Sequence, residues 1–257
     1  MKAIALPNHP GAAGKFPLVC APLVGRDRAS LLAEAASVAG RGPDLLEWRV
    51  DFFEGIGRAT EVAELTGALK QAAGGLPLLF TRRSAREGGE AISLSEAQVL
   101  ELYAAVCAAG QIDLIDFEMG NARQDVAAVR TMSRTHGIGL VLSFHDFQQT
   151  PAQAALVEKF ALAQELGADV AKVAVMPRRM EDVLTLLGAT LQASQALAIP
   201  VVSMAMGGLG ATTRLCGGAF GSALTFAVGQ SASAPGQMPI AGLSAALDLL
   251  RRAGGAA

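Results

Sequence analysis

The stretch from 139 to 176, GLVLSFHDFQQTPAQAALVEKFALAQELGADVAKVAVM, decides the fold of this chain. It starts with an apolar run, continues through a segment with apolar residues at helical spacing, and ends in a second apolar run, VAKVAVM. A strand, a helix and a second strand in this order predict two parallel strands joined by a right-handed crossover. Parallel strands are covered on both faces, which explains why both runs are almost continuously apolar.

The same unit repeats along the chain. Strands are predicted at Phe16–Leu23, Asp44–Phe52, Pro77–Arg83, Ile112–Met119, Gly139–Phe144, Val170–Met176, Pro200–Met206 and Ser222–Val228. Helices are predicted at Arg28–Ala39, Thr60–Ala72, Ser95–Ala109, Ala122–His136, Ala152–Leu166, Arg179–Ala198 and Gly242–Ala253. Ser95 and Thr150 are expected to stand at helix starts.

Eight strands at a spacing of roughly 30 residues, most of them followed by a helix, favour a closed barrel. An open doubly wound sheet is the alternative, but no GxGxxG follows the first strand. We therefore predict an α/β fold, a (β/α)₈ TIM barrel, with residues 1–257 forming a single domain. The segment before Phe16 lies outside the repeat, and we expect it to form an N-terminal β-hairpin that closes the barrel bottom.

Composition excludes several classes of function. The formal net charge is −2 and no basic stripe is visible, so nucleic-acid binding has no electrostatic support. No apolar run is long enough for a membrane span or a signal peptide. Three widely spaced cysteines without a CxxC pair fit a reduced compartment, so we expect a cytoplasmic protein.

Active sites of such barrels lie at the C-terminal ends of the strands, so charged residues there are informative. Glu47, Arg49 and Asp51 alternate along LLEWRVDFF and share one face, which we expect to point into the barrel. Further polar groups near strand ends are Arg83, Glu87, Asp116, Glu118, His145 and Arg214. A neutral imidazole at His145 suits proton transfer near pH 7, and the Arg214 guanidinium suits a carboxylate.

Lys172 is one of only five lysines among the 21 basic residues, and it stands inside the apolar run VAKVAVM. A buried lysine is costly unless it is paired or neutral, and a neutral amine is a nucleophile. The other interpretation is an ion pair with a strand-end carboxylate. No His or Cys spacing suggests a metal site, although Mg²⁺ held by Glu47, Asp116 and Glu118 stays open.

These segments resemble the type I 3-dehydroquinate dehydratase family, from about Val19 to Gln237. LEWRVD, LLFTxRSAREGGE, LIDxE, VLSxHDFxxTP, the lysine of the sixth strand, SMA…R, FGSALTF and SAPGQ occur in the family's order and spacing. This chain departs from the family pattern at Ala21-Pro22, where many members have a serine that contacts the substrate, and at Phe144, where a polar residue is common. The stretch from Met204 to Arg214 is about two residues longer than usual.

The resemblance implies dehydration of 3-dehydroquinate to 3-dehydroshikimate, a step of the shikimate pathway, with no metal and no cofactor. It implies a Schiff base at Lys172, proton transfer by His145 and orientation of His145 by Glu87. By the family pattern, the substrate-binding residues are Glu47, Arg49, Arg83, Met204, Arg214, Ser233 and Gln237. The family also implies a homodimer.

Two other functions stay open at this point. One is a Schiff-base aldolase or related barrel lyase, for which GGLGATTR after the seventh strand would supply a phosphate site. The other is a non-catalytic barrel that binds a quinate-type ligand and does not need an unprotonated Lys172.

Overall fold

The computed structural model describes residues 2–9, 12, 15–231 and 233–253. The strands are β1 (Leu18–Leu23), β2 (Leu45–Arg49), β3 (Leu78–Thr81), β4 (Leu114–Glu118), β5 (Gly139–Asp146), β6 (Val170–Val175), β7 (Val201–Ala205), β8 (Leu224–Val228) and β9 (Met238–Pro239). The helices are α1 (Arg28–Ala39), α2 (Ala59–Ala72), α3 (Glu96–Ala109), α4 (Arg123–Thr135), α5 (Gln153–Glu165), α6 (Met180–Ala196), α7 (Gly207–Cys216) and α8 (Ile240–Ala253).

The strands form one curled parallel sheet in the order β7-β6-β5-β4-β3-β2-β1-β8-β9. Its two sides meet where Val201, at the start of β7, forms a parallel bridge with Ser222, just before β8. The amide of Ala223 donates to the carbonyl of Val201 at 2.8 Å there. This contact joins β7 to β8 and confirms the predicted barrel.

The inward-facing side chains change from apolar to polar along each strand. Near the N-terminal ends they form a buried apolar cluster that includes Leu18, Cys20, Leu45, Leu79, Leu114, Val141, Val170, Val202 and Leu224. Two residues further along, the inward positions hold Glu47, Thr81, Asp116, Ser143 and Lys172, all buried. Because side chains alternate with a period of two, the same strands supply an apolar floor and a polar upper layer.

The outward faces of the strands pack against the helices through a larger apolar cluster. In its centre, Trp48, Phe80, Tyr103 and Phe117 form a row of edge-to-face contacts with centroid distances of 5.4–5.6 Å. Full burial of side chains of this size contributes roughly 1.5–3 kcal/mol each. This row ties α3 to β2, β3 and β4, the strands that carry several residues of the upper layer.

Most predicted elements are observed within two or three residues, and the local signals explain where helices start. Ser95 caps α3 in a reciprocal capping box with Gln98, as its position predicted. The prediction for Thr150 is wrong, since Ala152 precedes α5 and provides no side-chain cap.

Helix α7 was not predicted, because GGLGATTR contains glycines that disfavour helices by about 1 kcal/mol each. Close packing explains it. A Cβ at Gly210 would lie 2.2 Å from the carbonyl oxygen of Ala205, so only glycine lets α7 approach β7. The hydroxyl of Thr213 then accepts a hydrogen bond from the Ala205 amide at 2.9 Å.

The N-terminal segment lies at the barrel bottom, as predicted, where Ile4 and Leu6 join the inner apolar cluster. Its described residues, 2–9, 12 and 15, contain no strand, so the predicted hairpin is absent from them; the rest of that segment lies outside the described residues. His9 anchors it instead, because its Nε2 lies 2.7 Å from Asp113 Oδ1. Among the described helices, none combines the length and apolarity that a bilayer crossing requires.

Candidate active site

A cleft opens at the C-terminal ends of the strands. Every site residue predicted from the sequence lines it: Glu47, Arg49, Arg83, Glu87, His145, Lys172, Met204, Arg214, Ser233 and Gln237. The lining also includes Gly88, Phe147, Ala174, Met206, Phe226 and Ala234, which were not predicted. The chain therefore brings residues of five strands, of helix α7 and of the segments that follow β3, β5, β7 and β8 into one polar cleft with apolar walls.

Lys172 lies near the floor of this cleft and is only 4% exposed. Its Nζ donates to Asp116 Oδ2 at 2.8 Å and lies 3.6 Å from Glu47 Oε1. It also lies 4.7 Å from the centroid of the Phe226 ring. The interpretation of Lys172 as one partner of an ion pair with a strand-end carboxylate is therefore realised in the structure, at the same position where a nucleophile was predicted.

Asp116 is wholly buried and its carboxylate has three donors. In addition to Lys172, it accepts from Arg83 Nη2 at 2.8 Å and from Ser143 Oγ at 2.6 Å. Burial works to raise the pKa of Asp116, but the Arg83 and Lys172 cations outweigh it and hold that pKa well below its ordinary range. Asp116 is therefore ionised.

Arg83 ties the strand ends together. Its Nη1 donates to Ser143 Oγ at 2.9 Å and to Glu118 Oε1 at 3.2 Å. Glu118 is in turn bound by the amide and the hydroxyl of Ser84 at 2.7 and 2.6 Å. On the neighbouring strand β2, Arg49 forms a bidentate pair with Asp51, with distances of 2.8 and 2.7 Å. Such fork-like pairs fix the guanidinium planes.

His145 stands near the end of β5 and pairs with Glu87. Its Nδ1 lies 2.8 Å from Glu87 Oε2, and its amide donates to the same oxygen at 3.0 Å. Burial, the nearby Arg83 cation and the Lys172 cation hold the pKa of His145 well below its ordinary value. Burial and the Glu118 carboxylate raise the pKa of Glu87 to about 8. Both shifts favour the neutral forms of the two groups. Whether the Glu87 carboxyl carries its proton therefore decides which imidazole nitrogen, Nδ1 or Nε2, is left without a hydrogen.

Phe147 covers the Glu87–His145 pair. Its ring stacks against the His145 ring at 25° and 6.5 Å between centroids. Gly88 makes room for it, because a Cβ there would lie 2.3 Å from ring atoms of Phe147, and its φ of +81° favours glycine as well. The ring limits the access of water to the pair, in keeping with the burial that shifts both pKa values.

Arg214 extends from α7 into the cleft and is 1% exposed. Its Nη1 and Nη2 donate to the carbonyls of Phe226 and Pro235 at 3.3 and 3.2 Å. Among the described residues, it forms no ion pair with a carboxylate, and its buried Nε has no hydrogen-bond partner. Burial lowers the pKa of Arg214 to about 10, which leaves it charged at neutral pH. A buried cation without a protein anion suits an anionic ligand.

Ser233 and Gln237 hold each other in the segment between β8 and β9. The Ser233 amide donates to Gln237 Oε1 at 3.0 Å, and Gln237 Nε2 donates to Ser233 Oγ at 3.2 Å. The Pro235 carbonyl accepts from Arg214 and from the amide of Gly207. This segment therefore closes over the cleft next to Arg214.

The carboxylates considered for Mg²⁺ face cations. Asp116 and Glu118 are occupied by Arg83, Lys172 and Ser84. Within the described part of the chain, no group of three or more His, Cys, Asp or Glu residues has the geometry to hold a metal ion.

Sequence reasoning left two polar partners out of the predicted site. The sequence marks Asp116 as a strand-end carboxylate but gives it no place in the predicted site, and Ser143 stands within the apolar run LVLSF, where nothing distinguishes it. Register was the missing information: Ser143 stands beside Lys172, and Asp116 stands beside Thr81 at the end of β3.

A family model described as Type I 3-dehydroquinase matches residues 19–253. A 3-dehydroquinate dehydratase of Albidiferax ferrireducens is 56% identical over 254 residues, which cover 99% of this chain and 96% of that protein. One of Aromatoleum aromaticum is 49% identical over 94% of this chain and 93% of that protein.

Two solved structures show the same fold. The 3-dehydroquinate dehydratase of Geobacillus kaustophilus is 49% identical with a TM-score of 0.91, and 93% of each chain is covered. The type I enzyme of Clostridium difficile, solved with covalently modified comenic acid, is 38% identical with a TM-score of 0.89. That comparison covers 93% of this chain and 94% of the other.

Proposed function

Because this chain belongs to the type I 3-dehydroquinase family and is a hydro-lyase, we propose that its cleft dehydrates 3-dehydroquinate to 3-dehydroshikimate through a Schiff base at Lys172. The observation that carries the mechanism is the position of the Lys172 amine, which is buried in a cleft that also contains His145 and Arg214. An amine, a proton-transfer group and an anion-binding group are the three parts that imine-based elimination requires.

In the first step, Lys172 condenses with the C3 ketone and water leaves. The protonated imine draws electrons from the neighbouring carbon, which makes the proton on C2 easier to remove. His145 takes this proton and assists the departure of water from C1. Its neutral form, favoured by the low pKa described above, is the form that accepts a proton.

Glu87 orients His145 through the Nδ1 contact at 2.8 Å. With Glu87 ionised, Nδ1 carries the hydrogen and Nε2 has the free lone pair. The same carboxyl in its neutral form would donate to Nδ1 and leave a hydrogen on Nε2. The ionised state of Glu87 is therefore the productive one for proton abstraction.

Arg214 binds the substrate carboxylate, which suits its burial and the missing protein anion noted above. Glu47, Arg83, Ser233 and Gln237 bind hydroxyls or the carboxylate, Met204 supplies an apolar wall, and Arg49 fixes this shell through Asp51. Ala21-Pro22 offers no hydroxyl from β1, so this part of the shell lacks one contact that many family members have.

A sugar-phosphate aldolase is less well supported. Its phosphate would be expected at the N-terminus of α7, but the Gly207 amide is already bound to the Pro235 carbonyl at 3.2 Å. A non-catalytic ligand binder needs neither the buried Lys172 amine nor the Glu87–His145 pair. Product analysis distinguishes both alternatives from the dehydratase. An aldolase would cleave a carbon–carbon bond, and a ligand binder would give no product at all.

The experiment is a turnover assay that follows the absorbance of the conjugated enone product from 3-dehydroquinate. Wild type turns over, Lys172→Met does not, and His145→Ala loses roughly 10²–10⁴-fold in kcat. Lys159→Met serves as a matched control, because Lys159 lies over the Phe144 ring on the outside of the barrel. Wild-type turnover in Lys172→Met would refute the proposed mechanism.

We further propose that residues 1–257 form one domain, that the protein is a cytoplasmic homodimer, and that it acts in the shikimate pathway without a cofactor. The three cysteines, Cys20, Cys107 and Cys216, are free, which suits a reduced compartment. Light scattering coupled to gel filtration tests the dimer, and a monomer mass at micromolar concentration would contradict it.

A further inference from the structure

Asp116 contacts the atom on which the proposed chemistry takes place, yet the steps described above do not use it. Its two oxygens divide their partners. Oδ1 accepts from Arg83 and Ser143, whereas Oδ2 has the Lys172 amine as its partner at 2.8 Å. One oxygen of a wholly buried carboxylate is therefore directed at the reacting nitrogen.

The other groups around Lys172 leave Asp116 as its nearest anion. Glu47 on β2 lies 3.6 Å away and is also bound by the Thr81 hydroxyl at 2.9 Å. Arg83, in the segment that follows β3, is turned towards Asp116 and Glu118. From β5, His145 is held neutral, as described above, and β8 contributes the Phe226 ring.

Two further strands present uncharged side chains. Cys20 on β1 is kept as a thiol, because burial and the Glu47 carboxylate raise its pKa. Met204 on β7 forms part of the wall. Positive charge on the Lys172 nitrogen is therefore balanced first by Asp116.

Imine formation conserves that positive charge. An ammonium group and a ketone give a protonated imine and one water molecule: two of the three ammonium hydrogens leave with the ketone oxygen, and one stays on nitrogen. The bond formed is carbon–nitrogen and the bond broken is carbon–oxygen. The Asp116 carboxylate, which balances the charge of the Lys172 ammonium before the reaction, therefore also balances the charge of the protonated imine on the same nitrogen afterwards.

We propose that Asp116 is a catalytic residue that acts as the counter-ion of the protonated imine at Lys172. This inference rests on the proposed Schiff-base function. Only the protonated imine is a strong electron sink, so an anion that favours protonation keeps the intermediate reactive while the C2 proton is removed. Arg83 and Ser143 hold Asp116 ionised and in place, which makes them positioning residues for the counter-ion.

The test compares wild type, Asp116→Asn and Glu118→Gln, each loaded with 3-dehydroshikimate to form the conjugated imine. The protonated imine absorbs at longer wavelength than the neutral imine, so its absorbance is titrated against pH. Loss of an opposite charge within about 4 Å is expected to lower the midpoint by roughly one to three pH units in Asp116→Asn. Glu118→Gln is the matched control, because it removes a buried carboxylate of the same strand that contacts Arg83 and not Lys172.

A wild-type midpoint in Asp116→Asn, or an equal shift in Glu118→Gln, would overturn the counter-ion role. If Asp116→Asn does not fold, the test uses wild type alone. The pH midpoint of its imine is then compared with that of the imine that butylamine forms with the same ketone in water. A higher midpoint in the protein supports the counter-ion, and an equal or lower one overturns it. Failure of the proposed function looks different, since wild type itself would then give no borohydride-reducible adduct at Lys172.

Discussion

The buried Glu87 carboxyl is expected to lower the folding stability of the protein at alkaline pH, and Glu87→Gln is expected to remove this loss. The carboxyl is buried beside His145, and burial together with Glu118 raises its pKa from 4.5 to about 8. A carboxyl with a raised pKa stabilises the folded state fully below its unfolded pKa, and this contribution is lost as pH rises through the folded pKa. The loss therefore falls between about pH 4.5 and pH 8.

The size of the effect follows from the shift of 8 − 4.5 = 3.5 pH units. At about 1.4 kcal/mol per unit, complete ionisation costs up to roughly 5 kcal/mol of folding free energy. The Glu87 side chain is only 12% exposed, so screening by solvent reduces this figure little. Glutamine keeps an acceptor for the His145 amide and carries no charge, so the variant escapes this cost.

Urea unfolding of wild type and Glu87→Gln at about pH 5 and about pH 9 measures the effect. From about pH 5 to about pH 9, the free energy of unfolding of Glu87→Gln is expected to rise by roughly 3–5 kcal/mol relative to that of wild type. Glu101→Gln, an exposed position on α3, is the control and is expected to change by less than about 0.5 kcal/mol at either pH. A stability difference for Glu87→Gln that does not depend on pH, or that favours wild type at about pH 9, would refute the reasoning.

Three further results are expected. The kcat/KM of wild type rises as pH passes through about 8, where Glu87 ionises and frees His145 Nε2; the rise is absent from the pH profile of Glu87→Gln. Arg214→Lys keeps the positive charge but loses the bidentate contact proposed for the substrate carboxylate. Its kcat/KM is expected to fall by roughly 10–100-fold, while borohydride still traps the imine. Tyr103→Phe destabilises the fold by about 1–3 kcal/mol in urea unfolding, because the buried hydroxyl donates to the Asp116 carbonyl at 2.6 Å and accepts from the Arg82 amide, just after β3, at 3.2 Å. The first expectation is contradicted if Glu87→Gln has the pH profile of wild type. The second is contradicted if Arg214→Lys keeps the wild-type kcat/KM, and the third if Tyr103→Phe is as stable as wild type.

Much of the fold follows from the sequence because periodicity reports which faces are buried. Apolar runs marked all eight barrel strands, and the alternation of Glu47 and Arg49 correctly indicated an inward polar face. Asp51 was expected on the same strand face, but β2 ends at Arg49, and Asp51 lies in a 3-10 turn from which it pairs with Arg49. Helix α7 escaped prediction because its stability comes from contact with β7 and not from its glycine-rich sequence. The predicted N-terminal hairpin rested only on that segment lying outside the repeat, which fixes a position but not a secondary structure.

The site was predictable as a set of residues and not as a set of contacts. Strand ends and the family resemblance led to every predicted lining residue. Whether Lys172 would face Asp116, Glu47 or Glu118 depends on barrel register and tilt, which the sequence of a single strand does not encode. The same limit hid Phe147, whose position over His145 depends on the missing side chain of Gly88.

Mapping of the reduced adduct tests the central claim most directly. The protein is incubated with 3-dehydroquinate, reduced with borohydride, digested and analysed by mass spectrometry. We predict a substrate-dependent mass increase on the peptide that contains Lys172, with none in Lys172→Met and none on the peptide that contains Lys159. An active enzyme with no adduct, or with the adduct on another lysine, would contradict the assignment of Lys172 as the nucleophile.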